Sequence, residues 1–143
     1  MLPGLWAGLL LCVALIAAPA PFATLSSADA GRVVARIFAQ EAWLSLGMAA
    51  LLLLLERALK SRPPGSPALN VDERLILGSV ACTVLGYFAV QALLPAARAG
   101  QVALSFGQLH LLSVALFALK SALVLVLAWR TGAPLQAVRR PSS

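Results

Sequence analysis

Four apolar runs, at about 2–23, 37–55, 75–94 and 106–129, leave this 143-residue chain few ways to fold. A hydrocarbon layer about 30 Å thick is crossed by roughly 20 apolar residues in a helix. Within that layer each backbone N–H and C=O has to be satisfied inside its own segment, which a helix does and an irregular chain does not. Apolar residues make up 61% of the chain and charged ones 11%, a balance that a water-soluble core of this size could not hide. The expected fold is an all-α membrane protein, a four-helix transmembrane bundle that occupies 1–143 as a single membrane domain, with the lipid bilayer as its solvent.

The formal charge of +6 raises the question of nucleic acid. The nine Arg and two Lys stand almost wholly at the ends of the apolar runs, where they meet lipid headgroups. No basic stripe is interleaved with aromatics, so nucleic-acid binding is not expected. With four spans both termini share a face. That face and the loop between spans two and three collect Arg57, Lys60, Arg62, Arg74, Arg130, Arg139 and Arg140, against Arg32, Arg36 and Arg98 opposite. The bias predicts a cytoplasmic Pro-rich loop and cytoplasmic termini. Cys12 and Cys82 both lie inside apolar runs and supply no disulfide framework.

Span one ends in Thr24-Leu25-Ser26-Ser27; its Ala18-Pro19-Ala20 resembles a signal-peptide cleavage site, but no basic segment precedes the apolar core. The second helix is expected to start with Asp29 as its N-cap and to run to about Lys60, with Arg32, Arg36 and Gln40 on one stripe of its amphipathic first turns. Residues 57–72, with Pro63-Pro64-Gly65-Ser66-Pro67, read as a linker. Pro95 is expected to stop span three. After span four a polar tail covers 130–143, and Trp6 and Trp129 are expected at one membrane interface.

Two stretches resemble each other at an offset of about seventy: Gly8 to Cys12 with Gly78 to Cys82, and Ala30-Gly31-Arg-Val33 with Ala99-Gly100-Gln-Val102, continuing through Phe38 and Ser45 against Phe106 and Ser113. The bundle is thus expected to be two parallel repeats of a helical hairpin, an arrangement used by some transporters. Gly4, Gly8 and Cys12 in span one, and Gly78, Cys82 and Gly86 in span three, recur every four residues. Small residues at that spacing let backbones approach closely, which predicts that these two faces pack together centrally.

Three ionisable residues interrupt the apolar runs: Glu41, His110 and Lys120. A charge at the bilayer centre costs about 2.5–3.5 kcal/mol on insertion scales, so such groups face the protein interior, a watery cavity or a partner. Glu41 lies on a stripe with Val33, Ile37, Leu44 and Met48, and a contact with either His110 or Lys120 is geometrically open. One reading is a proton or cation site; the other, preferred, is a polar latch between helices. His110, Ser113 and Ser121 fall near one helical face, so Glu41, His110, Ser113 and Lys120 form the candidate intramembrane polar site. A Cys12/Cys82/His110 metal site is a remoter alternative; no cofactor is assigned. No nucleophile–base arrangement or phosphate-cradling Gly loop is present, so an enzyme is not expected.

The segments Ala18-Pro-Ala-Pro-Phe22-Ala-Thr-Leu25, Ala30-Gly31-Arg-Val-Val-Ala-Arg-Ile-Phe38 and Phe106-Gly-Gln-Leu-His110-Leu-Leu-Ser113 resemble the bacterial domain of unknown function 4149 family, whose relatives include eukaryotic transmembrane protein 205. The resemblance covers about residues 5–130. It implies a small multi-pass protein of the bacterial inner membrane with no established reaction, and the eukaryotic relative's link to metal-drug resistance implies handling of metals or small solutes. This chain departs from the family's small polar residue after Ser113, with Phe117 and Lys120 there instead. The expected function is a non-enzymatic bundle acting as a homo-oligomer or as a subunit of a larger membrane assembly. A small oligomeric transporter or channel, and a haem- or metal-dependent membrane protein, are the alternatives.

Overall fold

The computed structural model describes residues 1–59 and 68–138, with side chains described only as far as Gly132. Lys60, Arg62, the Pro63–Pro67 run, Arg139 and Arg140 therefore lie outside the described residues. The described residues form five α-helices: α1 (Leu2–Cys12), α2 (Ser27–Leu59), α3 (Val71–Thr83), α4 (Ala92–Arg98) and α5 (Phe106–Val138). Together they supply four stretches long and apolar enough to cross a membrane, Leu2–Ala23, Ser27–Leu59, Val71–Arg98 and Phe106–Gly132. The protein is a multi-pass membrane protein.

Local chemistry sets the ends. Ser26, not Asp29, caps α2: its hydroxyl oxygen accepts the Asp29 amide at 3.2 Å and donates to the Asp29 carboxylate at 2.6 Å. Asp29 thus stands one turn's length inside and pairs with Arg32. Helix α3 starts at Val71 rather than near Leu75 because Asn70 and Glu73 form a capping box, Asn70 accepting from the Glu73 amide at 2.8 Å and Glu73 accepting from the Asn70 amide at 2.9 Å. At the other end of α5 the helix continues past Trp129 to Val138, so the expected tail is helical in its first part. Thr131 secures this extension by donating back to the Leu127 carbonyl.

Pro95 does not stop span three, which runs on to Arg98. A proline lacks the N–H that would bond four residues back, and its ring collides with that carbonyl. For Pro95 the carbonyl is that of Gln91, the last residue of a π-helical stretch, Val84–Gln91, that joins α3 to α4. The widened turn removes the conflict. Span one solves the same problem in the same way. Val13–Ala17 is π-helical, with the Ala18 amide bonded to the Val13 carbonyl five residues back at 2.9 Å, and Pro19 and Pro21 follow in a short 3-10 turn, Ala20–Ala23. Span three then ends on Gly100 at φ +68, where the Gly100 and Gln101 amides close onto the Ala97 and Ala96 carbonyls. This is the left-handed stop that glycine adopts most readily.

The helices stand in a ring: α1 beside α2, α2 beside α3, α3 beside α5, and α5 beside α1. Spans one and three are therefore diagonal, as are α2 and α5, and among the described residues no backbone packing joins either diagonal pair. This corrects the expected central pairing of Gly4, Gly8 and Cys12 with Gly78, Cys82 and Gly86. Gly4 and Gly8 face outward with nothing within 4 Å of an added Cβ, and Cys12 is exposed. The span-three stripe works, but against α5: a Cβ on Gly78 would stand 3.1 Å from Leu123 Cδ1, and one on Gly86 3.5 Å from Leu116 Cβ. Cys82 is buried on the same span.

The two hairpins are arranged as parallel repeats would be, but the residue alignment that first indicated them is not structural. Ala30-Gly31 lies inside α2, whereas Ala99-Gly100 forms the turn after α4. Counting instead from the helix starts, Ser27 and Phe106, puts Phe38-Ala-Gln-Glu41 in register with Phe117-Ala-Leu-Lys120.

Among the described residues a large buried cluster lies toward the end that carries Asn70 and Trp129. There Trp6, Leu10, Ala49, Leu52, Ile76, Val124 and Leu127 from all four spans form one buried cluster. Trp6 belongs to that core rather than to the membrane interface, while Trp129 is exposed. The close α3–α5 contact gives a direct test. Gly78→Val is expected to destabilise the protein by about 1–3 kcal/mol through overpacking, whereas Gly8→Val, on the open face, should stay within about 0.5 kcal/mol. Denaturant titration of the purified protein in detergent measures both.

Candidate functional site

Glu41 is the fifteenth residue of α2 and Lys120 the fifteenth of α5, so in two helices that run the same way they arrive at one depth, about 21 Å along the axis at 1.5 Å per residue. They meet across the diagonal. The Lys120 Nζ lies 2.8 Å from both Glu41 carboxylate oxygens, and the residues are 3% and 5% exposed. Side-chain length makes the crossing feasible where the backbones are too far apart to touch.

The pair is held from several sides. Ser45, one turn beyond Glu41, donates its hydroxyl to Glu41 Oε1. Trp6 Nε1 in turn donates to Ser45 Oγ at 3.0 Å. A relay of Trp6, Ser45, Glu41 and Lys120 thus ties α1, α2 and α5 together, each buried donor finding its acceptor. One turn to the other side, Phe38 and Phe117 meet edge to face at 5.3 Å between centroids, and Lys120 Nζ sits 4.9 Å from the centre of the Phe117 ring. Span three contributes no member: the hydroxyls of Ser79 and Thr83 return to the Ile76 and Ser79 carbonyls of their own helix.

Beyond the pair the bundle opens into a cavity of about 780 Å³ lined by all four spans. Glu41 and Lys120 line it beside Cys82 and Thr83, with Ala122 and Leu125 further along α5; His110 and Ser113 line it nearer the end where α5 begins. All four members of the expected polar site therefore face one space, but only Glu41 and Lys120 touch. His110 is engaged elsewhere. Its ring stacks on Phe106 at 6.0 Å with planes 9° apart, and the Arg98 guanidinium carbon lies 4.4 Å over the other ring centre of that stack. Ser121 lines the cavity too, with its hydroxyl donated to the Phe117 carbonyl at 2.9 Å.

Trp6, Ser45, Phe38 and Phe117 are the members that sequence reading missed. The repeated Phe-Ala-x-charge pattern at 38–41 and 117–120 was the available signal for the two rings. Nothing in the sequence announces the pairing of Trp6 with Ser45. Among the described residues no group of three or more His, Cys, Asp or Glu stands within reach of one metal ion, so Cys12, Cys82 and His110 are not assembled as ligands.

The family described as a domain of unknown function, DUF4149, matches residues 1–103, and the chain belongs to that family. The match takes in spans one to three with Glu41, and it ends before α5 with His110 and Lys120. No curated protein and no solved structure matches the chain.

An isolated charge buried by removing its partner costs about 3–5 kcal/mol, whereas replacing both can be nearly neutral. Lys120→Met is accordingly expected to destabilise the protein by that amount, with most of the loss recovered in Lys120→Met/Glu41→Gln. Trp6→Phe, which deprives Ser45 of its donor, should cost about 1–3 kcal/mol. A double-mutant cycle by denaturant titration reads all three.

Proposed function

We propose that this protein is a non-enzymatic carrier or binding protein of the bacterial inner membrane that takes a small solute into the space between its four spans. The observation that carries this reading is the cavity of about 780 Å³ that has a buried ion pair on its wall. Pockets that hold small ligands commonly measure about 300–1,000 Å³, with mostly apolar walls and a few convergent polar groups. A latch that served only to fix helix packing would need no such space beside it. Native mass spectrometry of protein released from membranes tests the reading: the expected mass is the polypeptide plus a small molecule, lost in Ala122→Phe, a substitution on the cavity wall. A bare polypeptide, or a constant protein partner, would count against it.

A second reading is favoured by a different observation. Gly4 and Gly8 offer an open stripe on the outer side of α1, a surface that suits helix–helix association in lipid. Assembly into a homo-oligomer, or with a larger membrane partner, would use that stripe without closing the cavity. The same mass measurement resolves it by stoichiometry.

The termini and the loop between α2 and α3 are assigned to the cytoplasm. Support comes from charge: Arg57, Arg74 and Arg130 stand at that end with the basic residues of the loop and tail, against Arg32, Arg36 and Arg98 at the other. In spheroplasts of a strain making a variant without Cys12 and Cys82, a cysteine at Ser105 should react with a membrane-impermeant maleimide. Cysteines at Ser66 or Ser143 should react only after permeabilisation.

A further inference from the structure

The ring of helices is not closed evenly around the cavity. Span three packs on α5 along its whole length, through α3, the Val84–Gln91 stretch and α4. Span one does so only through Leu2–Cys12; its second half, Val13–Ala23, packs on α2 and has no packing contact with α5 among the described residues. From Cys12 onward span one therefore leans away from α5. The two sides that part at this gap carry Ala14 and Phe22 on span one, and Val114 and Ala118 on α5, all of them lining the cavity and all exposed. The gap lies within two membrane-spanning segments, so it faces acyl chains and not water.

The Glu41–Lys120 pair on the cavity wall specifies the ligand's head. Glu41 already accepts from Lys120 with both oxygens and from Ser45, which leaves it poorly placed to take a further donor. Lys120 has three N–H groups. Two go to Glu41, and the ammonium also stands 4.9 Å from the centre of the Phe117 ring, on the cavity wall that it shares with Cys82 and Thr83. What the site lacks is an acceptor. The charges of Glu41 and Lys120 cancel, so a charged ligand would bring net charge into a low-dielectric site, at a cost that an uncharged one avoids.

Resting on the solute-binding reading above, we infer that the cavity is entered sideways from the bilayer, through the gap between span one and α5, by an uncharged lipophilic molecule. A carbonyl-type oxygen at its head accepts from Lys120. The apolar body lies along Val114 and Ala118 and extends through the gap into the hydrocarbon.

Two photoreactive probes test this on the full-length protein in nanodiscs: an alkyl benzophenone, which is an uncharged ketone, and an alkyl diazirine of similar length with no acceptor. The ketone should label the Val114–Leu125 segment. In Lys120→Met/Glu41→Gln, which keeps the site free of unpaired charge, ketone labelling should fall roughly tenfold, what one hydrogen bond to a charged donor contributes, while diazirine labelling stays unchanged. Ala118→Trp, which fills the gap, should suppress both. Equal ketone labelling with and without Lys120, or stronger labelling by a trimethylammonium-bearing benzophenone, overturns the acceptor assignment and leaves the solute-binding reading standing. If neither probe labels the cavity and Ala118→Cys cross-links to a second copy, the gap is covered by protein and both readings fail. The acceptor could be the ester of a membrane lipid or a free solute, and the lipid of the nanodisc separates these. Labelling that rises several-fold in ether-linked phospholipid identifies the lipid ester as the resident competitor; labelling that is equal in ester- and ether-linked discs identifies a free molecule.

Discussion

Two opposite charges placed at one depth on diagonal helices govern this bundle. Neither Glu41 nor Lys120 could remain in hydrocarbon alone without a cost of several kcal/mol, and each is answered only by the other, at 2.8 Å. The reach of the two side chains sets how far α2 and α5 stand apart, and spans one and three fill the remaining corners of the ring. Because Ser45 and Trp6 continue the hydrogen bonding into the α1 corner, the pair also fixes the rotation of span one about its own axis. Breaking the pair therefore loosens two contacts between spans and not one.

Its position divides the molecule. On one side the spans close around the Trp6, Leu10, Ile76 and Leu127 cluster; on the other they diverge around a cavity. The divergence coincides with the π-helical turns of spans one and three, Val13–Ala17 and Val84–Gln91, each just ahead of a proline. A widened turn rotates every residue that follows it relative to those before. Proline positions, cavity and gap thus trace to one local device used twice.

What the residues disclosed in advance was what hydropathy and charge encode. The number of spans follows from the length of the apolar runs, and Glu41 and Lys120 stood out because a charge in such a run needs a partner. Ring order did not follow, for a physical reason: lipid-facing and protein-facing sides are both apolar, so a stripe such as Gly4, Gly8 and Cys12 does not reveal which way it points. Trp6 misled similarly, since the tendency of tryptophan to sit at membrane interfaces carries no knowledge of Ser45. The Asn70–Glu73 capping box falls at the edge of the apparent linker, where the Pro-Pro-Gly run dominates the pattern. Pro95 was read by its ordinary effect, which the π-helical turn before it cancels.

The separation of Glu41 from Lys120 along the chain bears on how the protein is made. Lys120 follows Glu41 by 79 positions in order of synthesis, which at about 5–20 residues per second is a delay of roughly 4–16 s. Throughout that interval the first hairpin holds a carboxylate whose counter-ion has not left the ribosome. That carboxylate has to be solvated by water, a chaperone or the insertion machinery until its partner arrives. The last helix to emerge is thus the one that neutralises the nascent hairpin.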